Sequence, residues 1–532
     1  MLKFADGYRP LILAIALGLT ICLMWSSCKV KKPVVPVKVP EHAMTPKVKE
    51  LIRLSPVEVP EPILPEKAAN PTLKKVLLSK KIWDDPSDCL IRYYESENYK
   101  TILTDRYLAS GELEVLLKHL DDSPRHGLNP EAFHLSRIRD LFQKMVEMKP
   151  EKMKSDLRTK AELEALLSAA LIKYSLTMRY GMVNPDSIYV NYFISGSGPD
   201  SAAMMEPFSK PSLGNYLDSI QPASASYLAM QKALETGMST KQISAEEAEL
   251  IIKVNLERLR WKNKPLATKY VWVNIPDFNL DVIEKGKSVL QMKVCVGEGR
   301  NKSYQQQLSK DPDTGLVTDQ LQQKESPQLN SIIHSVQVNP IWNIPASIAR
   351  AEISKYQAED PDYLENNEID VYRDGKRISS SQEIDWEQVD HYSFKQRPGD
   401  QNSLGKIKFL FNNHSSVYLH DTPVKSAFKK ANRAISHGCI RVEKPLELAL
   451  ALFGKGKTYD QIRLAMQNSY PRAKNIALPQ KIPVYLSYYT AWADHKGVLQ
   501  LRRDVYGLDM VLYSYMKKYQ MISMSDKTNA NK

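Results

Sequence analysis

Apolar residues recur at three- and four-residue spacing through much of the stretch from Leu73 to Val254, most clearly in GELEVLLKHL (111–120) and RTKAELEALLSAALIKYSLTMRY (158–180). That spacing gives each segment one apolar face and predicts an α-helical domain over 73–254. Breaks at Asp122-Ser123-Pro124, Asn129-Pro130 and Asn184-Pro185-Asp186 supply the turns, and NPEAF (129–133) is a helix start. After Trp261 the period shortens. KYVWVNIPDFNLDVIEKGKSVLQMKVCVGEG (269–299) reads as strand, hairpin at Glu284–Lys287 and strand, with more strands at SIIHSVQVN (331–339), IKFLF (407–411), SVYLHD (416–421) and IPVYLSYYTAW (482–492). A β-rich domain over 255–515 follows, then a polar tail at 516–532.

Two stretches interrupt the β pattern. Residues 345–397 are polar, with a helical period in SIARAEISKYQ (347–357), for which Ser347 is the expected cap; they read as a helical insertion placed as a lid. Residues 298–325 are polar and Gln-rich and read as a long loop. The fold class is therefore α+β, a helical domain followed by a β-rich domain with a helical capping insertion.

The first 28 residues have a different texture. Lys3 and Arg9 precede an apolar run from Leu11 to Trp25, and Ser26, Ser27 and Cys28 follow, the layout of an export signal. Small residues before a cysteine resemble the lipobox of bacterial lipoproteins, which implies lipidation at Cys28. The alternative is an uncleaved anchor, since the run is only slightly short of the roughly 17–25 residues that span a bilayer. Either way the chain is expected in the cell envelope, facing the periplasm and held to a membrane. Residues 29–72, rich in Pro, Val, Lys and Glu, read as an extended tether.

With 532 residues and a formal charge of +12, the chain has room for two or three domains and suits an anionic envelope polymer or membrane surface. Its basic residues are spread without an arginine–aromatic pattern, which argues against nucleic acid. Of the five cysteines, Cys22 and Cys28 lie in the export segment, and Cys89, Cys295 and Cys439 form no visible disulfide framework. Cys295 sits in an apolar run and reads as packing. An unpaired cysteine in a polar, glycine-containing turn of an exported protein calls for a chemical reason, and Cys439 is that residue.

Tyr418-Leu419-His420-Asp421 ends a strand, and residues 422–435 separate it from Ser436-His437-Gly438-Cys439-Ile440-Arg441-Val442. A thiol nucleophile needs a base, and the base an acceptor on its other ring nitrogen. His420 fits the base, with a carbonyl or side chain near Asp421 as its orienter. Gly438 permits a tight turn, and the amides around Gly438 and Cys439 are candidate oxyanion donors. A zinc set drawn from His414, His420, His437 and Cys439 is disfavoured by the two-residue spacing of His437 and Cys439. His126, His334, Trp342 and Trp386 read as packed or surface residues.

These residues and their spacing resemble the signature of the L,D-transpeptidase (YkuD-type) family. The resemblance extends to LERLRW (256–261), VNIPDF (273–278), NPIWNIPASIAR (339–350), LGKIKF (404–409), YLHDTP (418–423) and YYTAWAD (488–494), and more loosely to HGLNPEAF and RYGMVNP, as in the large scaffold-bearing branch. It implies Cys439 as nucleophile, His420 as general base, the Asp421 carbonyl as orienter, and His437 and Ser436 as residues shaping the site. It gives Arg441 a role in holding the loop or a substrate carboxylate, and Tyr418 a place in the donor cleft. The implied reaction forms 3→3 cross-links between peptidoglycan stem peptides without a cofactor, with acylation by carbapenems at the same thiol. Alternative acceptors give carboxypeptidase, exchange or protein-attachment activity. A non-catalytic peptidoglycan-binding scaffold that recruits peptidoglycan synthesis enzymes is the reading from another class. The three-helix peptidoglycan-binding module common in this branch has no counterpart between Glu235 and SAEEAEL (244–250).

Overall fold

A computed structural model describes residues 70–521 apart from 80–87, 109, 149–155, 197, 264, 266, 300–307, 321, 323 and 469–470. The expected export segment, the Cys28 anchor and the tether lie outside the described residues. Among the described residues no helix is long and apolar enough to cross a membrane.

The helical part is built around Leu157–Tyr180, which buries residues on every side and so sits at the centre of its bundle. Asp156 caps its start by accepting from the Thr159 N–H. Its Glu164 is fully buried and caps a second helix across space. The carboxylate accepts from the Ile102, Leu103 and Thr104 N–H groups at 2.6–2.8 Å, which serves the N-terminus of Ile102–Tyr107, and from the Tyr94 hydroxyl at 2.6 Å.

Helix Ala245–Arg260 belongs to both halves. Ile251, Ile252 and Leu256 pack into a cluster with Tyr227 and Met230, whereas Val254 packs into the core of the β domain. The boundary expected between Val254 and Asn255 therefore falls inside a continuous helix, because apolar positions on two of its faces serve two different cores. Buried histidines here are structural: His126 Nδ1 lies 2.8 Å from the Tyr227 hydroxyl.

Eight strands close a ring in the β domain. Lys269–Asn274 pairs with Asn279–Glu284, then Lys287–Gly297, Ile440–Val442, Leu419–His420, Ile407–Phe411, Gln328–Val338 and Lys474–Ser487, which returns to Lys269–Asn274. The period-two residues Val271, Val273, Leu280, Val282, Val336, Val338, Ile407, Phe409, Val484 and Leu486 fill a single core. In the ring, the parallel pair Leu419–His420 and Ile440–Val442 carries the two halves of the sequence motif.

Three expectations are corrected. The insertion at 345–397 is not simply helical: Trp342–Ile344, Ile369–Arg373, Lys376–Arg377 and Tyr392–Gln396 form a four-stranded antiparallel sheet with its own small core. Its alternation is confined to five-residue strands (Ile369, Val371; Tyr392, Phe394, Gln396 inward) inside a polar sequence, too short to outweigh the helical period beside it. Ser347 does not cap; the residue at the N-cap is Pro345, which has no side-chain hydrogen bond to give. The tail does not begin at 516, because Leu508–Met521 is one helix whose Val511, Leu512 and Met516 are buried in the ring's core. Within 298–325, Ser309–Lys310 and Val317–Thr318 pair, and the Val317 N–H donates to Ser514 Oγ of that helix at 3.1 Å.

Candidate active site

The two strands set the geometry. His420 is opposite Arg441 in the parallel register, and the Ile440 N–H donates to the Tyr418 carbonyl at 3.1 Å, so Cys439 falls beside Tyr418 at the end of the pair. The Tyr418 ring lies 5.8 Å from the His420 ring, and Tyr418 is close enough to the Cys439 thiol to act on its charge through both hydroxyl and backbone. Thiol, phenol and imidazole thus share one corner of the barrel rim.

His420 is buried, and its Nδ1–H donates to the Asp421 carbonyl at 2.5 Å. That bond assigns the tautomer and leaves Nε2 as the basic atom. Burial, then the Arg441 charge, pushes the imidazole down to about 4, against smaller upward contributions from the Asp421 and Leu404 backbone. The Asp421 carboxylate acts separately from its carbonyl. It accepts from the Lys406 N–H at 2.9 Å and pairs with Lys425, which fixes the backbone that holds the carbonyl.

Cys439 is half-buried and unpaired. Desolvation pushes its thiol above the ordinary 9.0, while Tyr418, Lys408 and Arg441 act in the opposite sense. At rest the site therefore holds a neutral thiol and a neutral imidazole. Alkylation of Cys439 by iodoacetamide is expected to be slow at pH 7 and to keep accelerating beyond pH 9.0, the ordinary thiol value. A rate that levels off near neutrality, followed by mass spectrometry of the labelled peptide, would contradict this account.

The turn before the thiol is tied on several sides. Gly438 has φ of 103°, a conformation that only glycine adopts without strain. Ser436 Oγ donates to the Cys439 carbonyl at 2.6 Å and accepts from the Gly438 N–H at 3.3 Å. The Gly438 N–H, expected as an oxyanion donor, is thus occupied by Ser436, and the correction follows from the tightness of the turn that brings this hydroxyl within reach. Ser326 Oγ donates to the Gly438 carbonyl at 2.7 Å and accepts from the Gly297 N–H at 2.8 Å.

Segment 324–326 reaches this position only because residue 297 has no side chain. A Cβ there would stand 2.1 Å from the Lys324 carbonyl oxygen and 2.5 Å from the Ser326 nitrogen. Gly297→Ala is expected to destabilise the fold by about 1–3 kcal/mol, as overpacking against backbone does. It should also change the rate of Cys439 alkylation, because Ser326 is displaced from the turn; a denaturant melt and a rate measured on the same sample check both.

His437 is tied to the insertion. Its Nε2–H donates to Glu352 Oε1 of the insertion at 2.6 Å, and Lys324 Nζ lies 3.5 Å from the same oxygen and 3.2 Å from Glu298. Glu352 sits on a π-helical turn, Ala349–Ile353, a local irregularity frequent at functional sites. Partial burial raises its carboxyl, but His437 and Lys324 prevail and hold it below the usual range.

The other expected residues fall as follows. Arg441 lies next to His420 across the ladder, with its Nε buried and no hydrogen-bond partner for it among the described residues. Tyr418 lines the site between His420 and Lys408. His414 is apart from the site, its ring packed 6.2 Å from that of Phe193. Cys295 is buried as packing. Trp342 and Trp386 pack on the insertion's core.

Four residues of the site are not singled out by sequence: Lys408, Lys324, Ser326 and Glu352. Lys408 pairs with His420 in the antiparallel register, and its ammonium lies 5.3 Å over the Tyr418 ring, where desolvation depresses it and the thiol acts the other way. Its alternation partners Ile407 and Phe409 mark it as facing out of the core toward the site, a signal available in IKFLF.

Known proteins resemble the chain in matching regions. The model of the scaffold domain matches residues 88–234, and that of the L,D-transpeptidase catalytic domain (YkuD) matches residues 268–452. A protein of Haemophilus influenzae named "Putative L,D-transpeptidase" is 27% identical over 285 residues, which span 52% of this chain and about half, 53%, of that relative. A solved structure described as "Structure of the Ldtfm-avibactam carbamoyl enzyme" aligns over 49% of this chain and 79% of that one at 9% identity, with a TM-score of 0.18, too low to bear on fold or function. His420 and Cys439 both fall inside the matched catalytic region, and residues 268–452 of this chain belong to the L,D-transpeptidase catalytic-domain family, behind a scaffold domain.

Proposed function

We propose that the chain is a cysteine acyltransferase that forms 3→3 cross-links in peptidoglycan through a Cys439 thioester. The observation that carries this reading is the pairing of a buried His420, fixed through Nδ1 on the Asp421 carbonyl, with an unpaired thiol on the adjoining strand end. A base near 4 and a thiol above 9.0 do not form a resting ion pair. The thiol proton therefore passes to Nε2 as sulfur attacks the carbonyl of the third residue of a tetrapeptide stem. The oxyanion is met by the Cys439 N–H, since that of Gly438 is held by Ser436.

The imidazolium so formed is a strong acid in its buried setting, and it returns the proton to the leaving amine of the terminal D-alanine. An amine of a neighbouring stem then attacks the thioester, gives its proton to His420 and frees the thiol. Tyr418, Lys408 and Arg441 favour the negative charge that sulfur gains along the way. No step draws on a cofactor.

Anchorage of this activity at the envelope membrane, through Cys28 or an apolar N-terminal segment, and cooperation with peptidoglycan synthesis enzymes belong to the same proposal. The test is intact-protein mass spectrometry of wild type and Cys439→Ala with a disaccharide-tetrapeptide and, separately, a carbapenem. An adduct on wild type alone, with cross-linked dimer in solution, is expected. A folded protein with a titratable Cys439 thiol and no adduct from either compound would replace the enzyme by a peptidoglycan-binding scaffold.

A further inference from the structure

The His437–Glu352–Lys324 cluster has a composition that the transpeptidase reaction does not by itself require. One carboxylate oxygen, Glu352 Oε1, is shared between an imidazole N–H at 2.6 Å and an ammonium at 3.5 Å, and the three groups come from three separate segments. His437 is two residues from the nucleophile, on the turn whose carbonyl Ser326 holds. Lys324 is two residues before Ser326, on the segment pressed against Gly297. Both donors are thus built into the wall of the site, whereas the acceptor is supplied by the insertion.

The charges make this carboxylate exchangeable. Glu298 also pairs with Lys324, at 3.2 Å, so Lys324 keeps a counter-ion when Glu352 withdraws. All the groups are partly open to solvent, with side-chain exposures of 30–31% for Glu352 and His437 and 44% for Lys324, so a second carboxylate can reach the donors. The cost of removing Glu352 is low when another carboxylate takes its hydrogen bonds, and high when none does. Among the described residues Tyr363, a neutral phenol on the insertion itself, is a further ionisable neighbour of Glu352.

We propose that Lys324 Nζ and His437 Nε2 form the subsite for the terminal carboxylate of the donor stem, and that Glu352 is an internal stand-in that fills it in the free protein. The inference rests on the transpeptidase reading and deepens it. In that reaction the leaving residue carries a free carboxylate one residue beyond the scissile bond, close to the thiol by necessity. Its arrival releases Glu352 and the insertion moves with it; its departure with the leaving residue lets Glu352 return, which clears the subsite for the acceptor.

The experiment compares two tetrapeptide donors, one with a free C-terminal carboxylate and one with a C-terminal carboxamide, on the full chain, with acyl-enzyme formation followed by time-resolved intact mass spectrometry. Wild type should prefer the carboxylate by at least about tenfold, the scale of a charge-assisted hydrogen-bond pair. Lys324→Met should erase most of that preference. Glu352→Gln should lower KM for the carboxylate donor more than for the carboxamide donor, since the internal competitor is weakened while the size of the side chain is kept. Equal acylation by the two donors overturns the subsite and leaves the transpeptidase reading standing, as does a Glu352→Gln variant whose KM for the carboxylate donor does not fall, which marks the contact as a structural brace. Acylation by neither donor overturns both.

Discussion

His420→Ala is expected to slow acylation of Cys439 by roughly 10²–10⁴-fold, the range associated with loss of a positioned general base. The reason lies in the resting state. With the thiol held above 9.0 and the imidazole near 4, very little thiolate exists at neutral pH, and attack depends on proton transfer during bond formation. The loss should appear in kcat and kcat/KM together, as for an interaction made only in the transition state. His420→Gln should be nearly as slow, since an amide does not take up the proton.

The pH profile separates this role from a structural one. Because the folded imidazole is depressed to about 4, it is neutral above that pH and charged below, so the wild-type acylation rate should fall on the acid side with a midpoint near 4 and show no midpoint at 6.5. In His420→Ala that limb disappears while the residual rate follows the thiol alone. A variant that kept the wild-type rate, or a wild-type limb near 6.5, would remove His420 from the chemistry.

His420 and Cys439 are legible in the sequence because their signal is local: strand, histidine, polar turn with glycine, cysteine. The expected orienter, the Asp421 carbonyl, is also a nearest neighbour in the chain. Glu352 and Lys324 carry no such signal. They are common residue types in polar segments, 85 and 113 residues from His437, and only the folding of the insertion and the absence of a side chain at Gly297 bring them to it. The Gly438 amide differs from its expected donor role for a related reason. Sequence shows an available amide and an available hydroxyl at Ser436, but not that the turn joins them.

The fold divides the same way. The long helix Leu157–Tyr180 and the ring strands have enough residues for their periods to be read. The insertion's strands do not, and Leu508–Met521 extends past the expected limit because Met516 reaches the core from a segment otherwise rich in Lys and Tyr. Helix Ala245–Arg260 resists assignment to one domain because it has two apolar faces and buries charges besides. That helix contributes residues both to the core of the ring and to the cluster around Tyr227 and Met230.

Asp509→Ala should therefore cost about 3–5 kcal/mol, the range found when one partner of a buried ion pair is removed. Asp509 and Arg258 are each 1% exposed, with Arg258 Nη1 at 2.5 Å from Asp509 Oδ1. Thr490 Oγ1 donates to Asp509 Oδ2 at 2.7 Å, and Arg258 Nη2 donates to the Tyr189 hydroxyl at 3.3 Å. Without Asp509 the guanidinium is left in an apolar junction with Asp504 as the remaining nearby carboxyl. Asp504 is engaged elsewhere, by Tyr488 and by the start of the terminal helix, and desolvation, then the charge of Asp509, pushes it up to about 7. The expected result is a lower unfolding midpoint in urea and faster proteolysis near Arg258, with catalytic loss following the loss of fold. An Arg258→Met, Asp509→Leu double variant should regain much of the difference, because it removes the stranded charge along with the pair. If Asp509→Ala left the midpoint unchanged, the pair would not be what joins this helix to the ring, and the packing of Val254 and Trp261 against the β core would have to carry the junction alone.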